Sequence, residues 1–319
     1  MRIGVSGATG FVGRALVQTL CDAGYDVVAL VRRHAGDLDA RATECVMADD
    51  DFASVAAGQP ALPPCSAFVH LAARVHVMHD DATDPLASYR AANVQGALNA
   101  LDAACRAGVR RFVFVSSVKA LGEHENGRPL REDDVPSPGD PYGISKHEAE
   151  VALREACAAR GIELAVVRPP LVYGPGVRAN FLGLMRAVAR GVPLPLGAAH
   201  AQRSMVYLGN LVDALRFLAT RENATDGVFH VTDGRDQSVA DLVAGIAAAL
   251  GRSPRLVPVP VAWLRVAGAL TGRRAAIDRL TSPLRIDCAQ LRALGWVPPF
   301  SVEQGLARTV AALAKGDGA

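Results

Sequence analysis

The sequence has no uninterrupted apolar run of the roughly 18 residues that a membrane-spanning helix needs. The nearest is VAWLRVAGALTG at 261–272, which is short and contains Arg265. The six cysteines are dispersed without a C-x-x-C pair, which is typical of thiols in a reducing cytoplasm and excludes a disulfide framework. The N-terminus, MRIGVSGATG, is too short and too rich in glycine for a signal peptide. We therefore expect a cytoplasmic protein without a membrane span.

An excess of charge of one sign is also missing. The net charge is +2, which argues against a role at nucleic acids or membrane surfaces. Lysine is scarce, since only Lys119, Lys146 and Lys315 stand among the 34 basic residues. The G-x-S-x-G motif is absent, so a serine hydrolase is unsupported.

Short apolar runs alternate with alanine-rich helical stretches through the first half of the chain. Such runs are typical of strands buried on both faces of a parallel sheet, and the alternation is typical of a doubly wound α/β domain. The predicted strands are 2–6, 26–31, 44–48, 67–72, 111–117 and 163–168, and the predicted helices are 11–23, about 85–107 and about 142–160. We therefore predict an α/β fold with a Rossmann-like doubly wound parallel sheet.

The alternation fades after Pro169, where proline and glycine become frequent, as in RPPLVYGPGV and GVPLPLG. We predict a dinucleotide-binding domain over residues 1–168. Residues 169–319 are predicted to form mostly a smaller, mixed C-terminal substrate lobe, with some segments returning to the first domain.

The segment RIGVSGATGFVGRALVQTL predicts a strand, a tight turn and a helix at the start of the chain. Gly7, Gly10 and Gly13 follow one another at intervals of three, which differs from the G-x-G-x-x-G fingerprint. The physical reason for the glycines is the same, because they let the backbone approach a pyrophosphate. The helix N-terminus then offers unpaired N–H groups to the phosphates.

The end of the second predicted strand bears on the choice between NAD and NADP. An acidic residue there would bind the adenosine ribose, whereas arginine suits a 2′-phosphate. The chain has Arg32 and Arg33 at this point, which favours NADP unless the two form only a solvated basic turn. Asp49, after the third predicted strand, is a candidate contact for the adenine end of the cofactor.

One of the three lysines, Lys146, follows Tyr142 by four residues, just after a turn rich in proline and glycine. The pair is either a coincidence on a helix surface or a proton donor with its partner. One helical turn separates the two residues, so both can face the same pocket. A phenol has a pKa near 10, and a cation nearby favours its ionised form.

These residues resemble the extended short-chain dehydrogenase/reductase family, in its branch of nucleotide-sugar epimerases and dehydratases. The matching segments are GATGFVG at 7–13, VHLAA at 69–73, NVQGALN at 93–99, FVSS at 114–117, YGISK at 142–146, RPPLVYGPG at 168–176 and LGW at 294–296. The resemblance implies that a nicotinamide dinucleotide is bound by residues of three of these segments, namely Gly7, Gly10, Phe11, Val12, Gly13, Leu71, Ala72, Ala73, Tyr142 and Lys146.

The resemblance also implies a hydroxyl that holds the sugar oxygen beside Tyr142 and Lys146. Counting back from the glycine of the family's V-Y-G, here ALG at 120–122, gives Ser117 this role, with Ser116 as the alternative. Lys119 stands where some dehydratases have glutamate, so elimination of water from the sugar is not expected. Lys119 either contacts the substrate or is solvated.

The segment AQRSMVYLGNLVDAL at 201–215 resembles the one whose arginine binds the diphosphate of the sugar nucleotide. Arg203 matches that arginine, and a guanidinium is well suited to phosphate oxygens. Arg279 is a second candidate. Many relatives have an asparagine shortly after R-P, which RPPLVYGPG lacks, and Asn180 is the candidate to replace it.

The resemblance implies NAD(P)-dependent hydride transfer at C4 of a UDP-sugar. The favoured activity is a 4-epimerase for a UDP-hexose or UDP-N-acetylhexosamine in surface-polysaccharide biosynthesis, and the expected assembly is a homodimer. A 4-reductase for a UDP-4-keto-6-deoxy sugar would use the same active site and stays open. A NADPH-dependent carbonyl reductase and a non-catalytic dinucleotide sensor are more distant alternatives.

A metal site is the one further possibility that the sequence raises. RVHVMHDD at 74–81 contains His76, His79, Asp80 and Asp81, which are possible ligands. No cysteine or third histidine with suitable spacing supports it, so we expect a loop that lines a pocket or is solvated, and no metal.

Overall fold

The computed structural model describes residues 1–75, 84–272 and 274–316, apart from the side chains of 274–276, 279 and 314–316. Within these residues, seven strands form one parallel sheet, and two short strands pair with each other. The sheet strands are β1 (Arg2–Ser6), β2 (Asp26–Val31), β3 (Thr43–Val46), β4 (Ala67–His70), β5 (Arg111–Val115), β6 (Glu163–Arg168) and β9 (Gly227–His230), and the short pair is β7 (Leu171–Tyr173) and β8 (Met205–Tyr207). In the order β3-β2-β1-β4-β5-β6-β9, the strand order reverses between β1 and β4. Rossmann-like folds bind their ligands at this topological switch point.

Helices cover the sheet and build the second half of the chain. They are α1 (Phe11–Asp22), α2 (Ala53–Ala56), α3 (Pro85–Arg90), α4 (Gly96–Arg106), α5 (Pro141–Arg160), α6 (Ala179–Ala189), α7 (Leu208–Thr220), α8 (Val239–Ala249), α9 (Val261–Leu270), α10 (Arg274–Thr281), α11 (Ala289–Ala293) and α12 (Val302–Gly316). The helix predicted over about 85–107 is interrupted by a π-helical turn at Ala91–Gln95, which separates α3 from α4.

The core lies on both faces of the sheet, as the apolar runs predict. One face packs against α1 and α7 through side chains such as Leu16 and Leu215. The other face packs against α4 and α5 through Leu101 and Leu153. Alternate residues of β2, β4, β5 and β6 enter the two clusters, so these strands have no polar face.

The second half of the chain contributes to both parts of the structure. β9 completes the sheet beside β6, and α7 packs on α1. A separate cluster joins α6, α8 and α12 with β7 and β8, and includes Tyr173, Ile246 and Leu306. A domain boundary at residues 168–169 stays a prediction. No helix within the described residues is long and apolar enough to cross a membrane.

Candidate active site

The glycine loop between β1 and α1 is shaped for close backbone approach. Gly7 has φ +67°, and a Cβ there would lie 2.7 Å from the backbone nitrogen of Ala72. A Cβ on Gly13 would overlap the carbonyl oxygen of Gly7, so a side chain would push α1 away from the loop. Gly10 begins the helix without a side-chain cap, which leaves the first N–H groups of α1 for a ligand. These features fit the pyrophosphate of a dinucleotide.

The loop after β4 lies against the glycine loop. β1 and β4 are parallel neighbours, so Leu71, Ala72 and Ala73 leave the sheet beside Gly7. At the end of β4, the buried His70 shares a hydrogen bond of 2.8 Å between its Nδ1 and the Ser6 hydroxyl. Burial, reinforced by the positive charge of Lys146, lowers the pKa of His70 to about 3, so the imidazole is neutral.

The far side of the glycine loop opens into a cleft of about 700 Å³. Its lining is polar and contains four basic side chains, with two acids among the remaining residues: Thr9, Arg14, Arg32, Arg33, His34, Ala35, Gly36, Asp37 and Asp50. Arg14 forms an ion pair with Asp37, and Arg32 forms one with Asp50 at 3.2 Å. Arg33 has no hydrogen bond or ion pair within the described part of the chain, so it is the cation in this cleft that is available to a phosphate.

Asp49 lies at the start of the loop between β3 and α2. Its Oδ2 accepts a hydrogen bond from the backbone N–H of Ser54 at 2.6 Å. Its Oδ1 is buried without a hydrogen-bond partner among the described residues. A buried acceptor without a donor costs free energy, which is consistent with a ligand amino group at this place.

Tyr142 stands in the first turn of α5. Asp140 caps this helix, since its Oδ1 accepts from the N–H of Gly143 at 2.7 Å. The Ser117 hydroxyl interacts with the phenol and favours its ionised form. The ring of Tyr142 meets Tyr89 edge-on, with the centroids 6.1 Å apart. Burial, with the negative charge of Asp140, raises the pKa of the phenol to about 12, although the interaction with Ser117 opposes this.

Lys146 lies one turn further along α5 and is 1% exposed. Its Nζ donates to the carbonyl of Val115 at 2.9 Å and lies 4.6 Å from the centroid of Phe114. Burial lowers its pKa to about 7, against the opposing charge of Glu150. The sequence predicts a cation that brings the phenol pKa down, whereas here the pKa of Tyr142 is raised. The Lys146 ammonium donates to the Val115 carbonyl at the end of β5. Burial has the largest effect on the pKa of the Tyr142 phenol, and it raises that pKa.

Lys119 follows Ser117 in a short 3₁₀ turn at Val118–Ala120. Its backbone N–H donates to the Ser117 hydroxyl at 3.2 Å. Its ammonium forms ion pairs with Asp140 and, at 2.6 Å, with Glu123. The lysine therefore neutralises Asp140, which is the carboxylate whose charge raises the pKa of Tyr142.

Arg203 is connected to the segment that carries Ser117. Its guanidinium donates to the carbonyl of Ser282 at 2.6 Å, and its backbone pairs with that of Leu284. Leu284 packs in turn with Ile286 against Val118, the residue next to Ser117. The candidate diphosphate arginine is therefore paired with a segment that packs beside the residue after Ser117.

The remaining substrate candidates lie on helices of the second half. Asn180 is exposed in the first turn of α6. Gly176, just before it, lies beside the ring of Phe11 at the glycine loop. Arg279 belongs to α10, but its side chain lies outside the described residues.

Sequence reasoning missed the polar groups beneath the candidate catalytic residues Tyr142 and Lys146. Glu150 and Arg168 form a buried ion pair, and the Ser116 hydroxyl donates to Glu150 at 2.5 Å. Ser116, the alternative to Ser117, is therefore engaged away from Tyr142. The spacing of Glu150, four residues after Lys146, was the available signal.

Asn93 was missed as well, although it begins the NVQGALN segment. It is buried in the π-helical turn, and its amide donates to the Ser145 hydroxyl at 2.9 Å. Ser145 donates to the carbonyl of Tyr142 at 2.8 Å. Asn93 thus holds the start of α5 in place.

Metal ligands do not cluster within the part of the chain that the structure describes, since no group of three His, Cys, Asp or Glu side chains could hold an ion there. The segment with His76, His79, Asp80 and Asp81 lies outside the described residues.

Comparison with known proteins agrees with this geometry. A family model described as the NAD dependent epimerase/dehydratase family matches residues 3–231. The chain is 38% identical to the UDP-glucose 4-epimerase of Vibrio cholerae over 314 residues, which covers 97% of this chain and 94% of the relative.

Solved structures show the same fold over the full chain. The UDP-glucose 4-epimerase of Thermotoga maritima with UDP-glucose matches with a TM-score of 0.78, 26% identity and 99% of both chains covered. MoeE5 in complex with UDP-glucose and NAD matches with a TM-score of 0.76, 26% identity and the same coverage. The predicted Rossmann-like fold is thereby confirmed.

Proposed function

Since this chain belongs to the NAD dependent epimerase/dehydratase family of enzymes, we propose that it is a UDP-sugar 4-epimerase. The 38% identical relative, which matches over nearly the whole chain, carries that activity in its name. Two structural neighbours hold UDP-glucose. The substrate we propose is a UDP-hexose or UDP-N-acetylhexosamine, for surface-polysaccharide biosynthesis in the cytoplasm by a homodimer.

The observation that carries the proposal is that the Ser117 hydroxyl interacts with the Tyr142 phenol at the edge of the sheet and favours its ionised form. In the first half of the reaction, Tyr142 takes the proton of the C4 hydroxyl while Ser117 holds the sugar oxygen. In the second half, the same phenol returns the proton to the oxygen of the 4-keto sugar. Bound NAD supplies the hydride acceptor for the first half and the hydride donor for the second.

The charges around Tyr142 set the conditions for this proton transfer. With a pKa of about 12, the phenol is neutral at physiological pH and is ready to donate a proton. To accept one, it needs added positive charge nearby. Lys146 has a pKa of about 7, so a modest change in its surroundings alters its charge. Arg203 would hold the diphosphate, and Lys119 would limit the negative charge at Asp140.

We propose that NAD is the cofactor of epimerisation and that the site can also bind NADP. The glycine loop, Leu71–Ala73 and Asp49 would hold the dinucleotide. Because Arg14 and Arg32 are paired with carboxylates, Arg33 is the side chain that supports a 2′-phosphate.

A 4-reductase is the alternative, since Tyr142, Ser117 and Lys146 would serve it equally. The test is incubation of the purified protein with UDP-glucose and with UDP-N-acetylglucosamine, without added cofactor, followed by chromatography of the products. Formation of the C4 epimer is the expected result. No epimer from either sugar, together with stoichiometric NADPH oxidation on a UDP-4-keto-6-deoxy sugar, would overturn the epimerase assignment in favour of the reductase.

A further inference from the structure

α9 (Val261–Leu270) is an almost wholly apolar helix that lies largely in solvent. Trp263, Val266 and Leu270 are 73%, 61% and 84% exposed. At about 100° per residue, these three share one side of the helix, where Ala267 is exposed too. Leu264 and Gly268 are buried on an adjacent side. The helix is thus attached along a narrow seam and presents a continuous apolar stripe, which we call the α9 stripe.

The chain around the α9 stripe is strongly basic. Between residues 252 and 285 there are seven arginines and one aspartate, a net charge of +6, although the whole chain carries only +2. Arg285 pairs with Glu125 from outside this segment, which leaves the segment with a surplus of five positive charges. The guanidinium of Arg265 is half-exposed and lies 3.4 Å from the single acid, Asp278. Arg252 and Arg255 are exposed and donate to the carbonyls of Ala189 and Gly191. The small net charge of the chain therefore conceals a segregated positive segment.

We propose that the α9 stripe and this basic segment bind the protein peripherally to a membrane surface that contains anionic lipids. An apolar helix face within a basic segment of the chain is typical of helices that lie in the interface of a bilayer. Tryptophan is enriched at the headgroup level, where Trp263 would lie. Arginines near an anionic leaflet add electrostatic attraction that a neutral surface does not provide.

The charge also distinguishes a membrane from a second copy of this chain. A symmetric contact would bring two identical patches together, and with them two segments of net positive charge. Like charges that face each other across an interface are unfavourable. An anionic lipid surface instead complements the segment. The proposal is independent of which sugar nucleotide the enzyme uses.

The protein carries its own reporter for this contact. It has two tryptophans, of which Trp263 is exposed and Trp296 is 4% exposed. Titration with vesicles of phosphatidylcholine and phosphatidylglycerol should shift the emission of Trp263 to shorter wavelength, and the protein should sediment with the vesicles. Vesicles of phosphatidylcholine alone should bind more weakly, and added salt should weaken the binding to anionic vesicles.

Two double variants separate the α9 stripe from exposed apolar residues in general. Trp263→Ser/Leu270→Ser should lower the affinity for anionic vesicles at least about tenfold, because two large apolar side chains leave the contact. Val135→Ser/Val297→Ser is the matched control, since these valines are 89% and 74% exposed elsewhere on the surface. It should sediment like the wild type. Both variants should keep the wild-type melting temperature, because all four side chains are exposed.

The absence of sedimentation with anionic vesicles at low salt would overturn the proposal. Equal binding by Trp263→Ser/Leu270→Ser and the wild type would also overturn it. Sedimentation velocity without lipid gives a third outcome. Self-association that this variant abolishes, without any vesicle binding, would show that the stripe is an interface between copies of the chain.

Discussion

Glu150 and Arg168 form a two-point ion pair inside the protein, with Nη2 2.6 Å from Oε2 and Nε 3.0 Å from Oε1. Their side chains are 1% and 4% exposed. The pair joins α5, one turn beyond Lys146, to the end of β6. The Ser116 hydroxyl adds the end of β5 to the same carboxylate. The position of Tyr142 and Lys146 relative to Ser117 therefore depends on a buried charge network.

Glu150→Gln should destabilise the protein by about 3–5 kcal/mol, because it leaves the guanidinium of Arg168 buried without its counter-charge. Urea unfolding measures this loss. Glu148→Gln is the matched control on the same helix, since Glu148 pairs with Arg90 at the surface. That change should cost at most about 1 kcal/mol. Equal effects of the two changes would contradict the importance of the buried pair.

Tyr142→Phe should lower the epimerisation rate by about 10²–10⁴-fold, because the proton-transfer group is removed while the ring remains. The affinity for NAD, measured by fluorescence titration, should stay near the wild-type value. Tyr25→Phe, which changes a phenol in the loop before β2, should leave the rate unchanged. Wild-type turnover in Tyr142→Phe would exclude Tyr142 as the proton carrier.

The pKa of Lys146 predicts a pH-dependent stability for the protein without dinucleotide. In the unfolded chain its pKa is about 10.4, and in the folded protein it is about 7. Between these values the unfolded state holds a proton that the folded state has released, so the contribution to stability rises with pH. The difference in unfolding free energy between wild type and Lys146→Met should therefore shift in favour of the wild type as the pH rises from about 7 toward 10.

Lys119→Met is the control for this measurement. Burial alone would lower the pKa of Lys119, but its hydrogen bonds with Asp140 and Glu123 raise it above the ordinary value. The contribution of Lys119 to the unfolding free energy is then constant at neutral pH and is lost only at higher pH, as the pH passes the raised pKa. The difference in unfolding free energy between wild type and Lys119→Met should therefore not change with pH over the range where that for Lys146→Met increases. A flat profile for Lys146→Met would show that the lysine is not neutral in the folded protein.

Arg33→Ala should weaken NADPH binding at least about tenfold with little effect on NADH, because a hydrogen bond to a charged group is worth about 1.5–3 kcal/mol. Arg32→Ala is the comparison, since Arg32 is already paired with Asp50. It should have the smaller effect. Equal losses of NADH and NADPH binding in Arg33→Ala would mean that Arg33 does not discriminate a 2′-phosphate. Isothermal titration calorimetry gives both affinities.

Much of the fold follows from the local sequence pattern. The run at 163–168 is β6 to the residue, and α1 and α5 begin within one residue of their predicted starts. The strand predicted at 111–117 ends at Val115, because Ser117 already caps the 3₁₀ turn at Val118–Ala120. Periodicity and glycine placement are local signals, so the sequence contains them directly.

The parallel sheet, the glycine loop and the helical turn that joins Tyr142 to Lys146 follow from the amino-acid pattern alone. The charge states of these groups and the identity of their partners depend on the folded arrangement. Lys119 meets Asp140 across 21 positions, and Arg168 meets Glu150 across 18. Lys146 is buried, which lowers its pKa, whereas Trp263 lies in solvent, although both residues belong to helices. Burial and charge pairing depend on which distant segments come together, and that information is not present in any local pattern of residues.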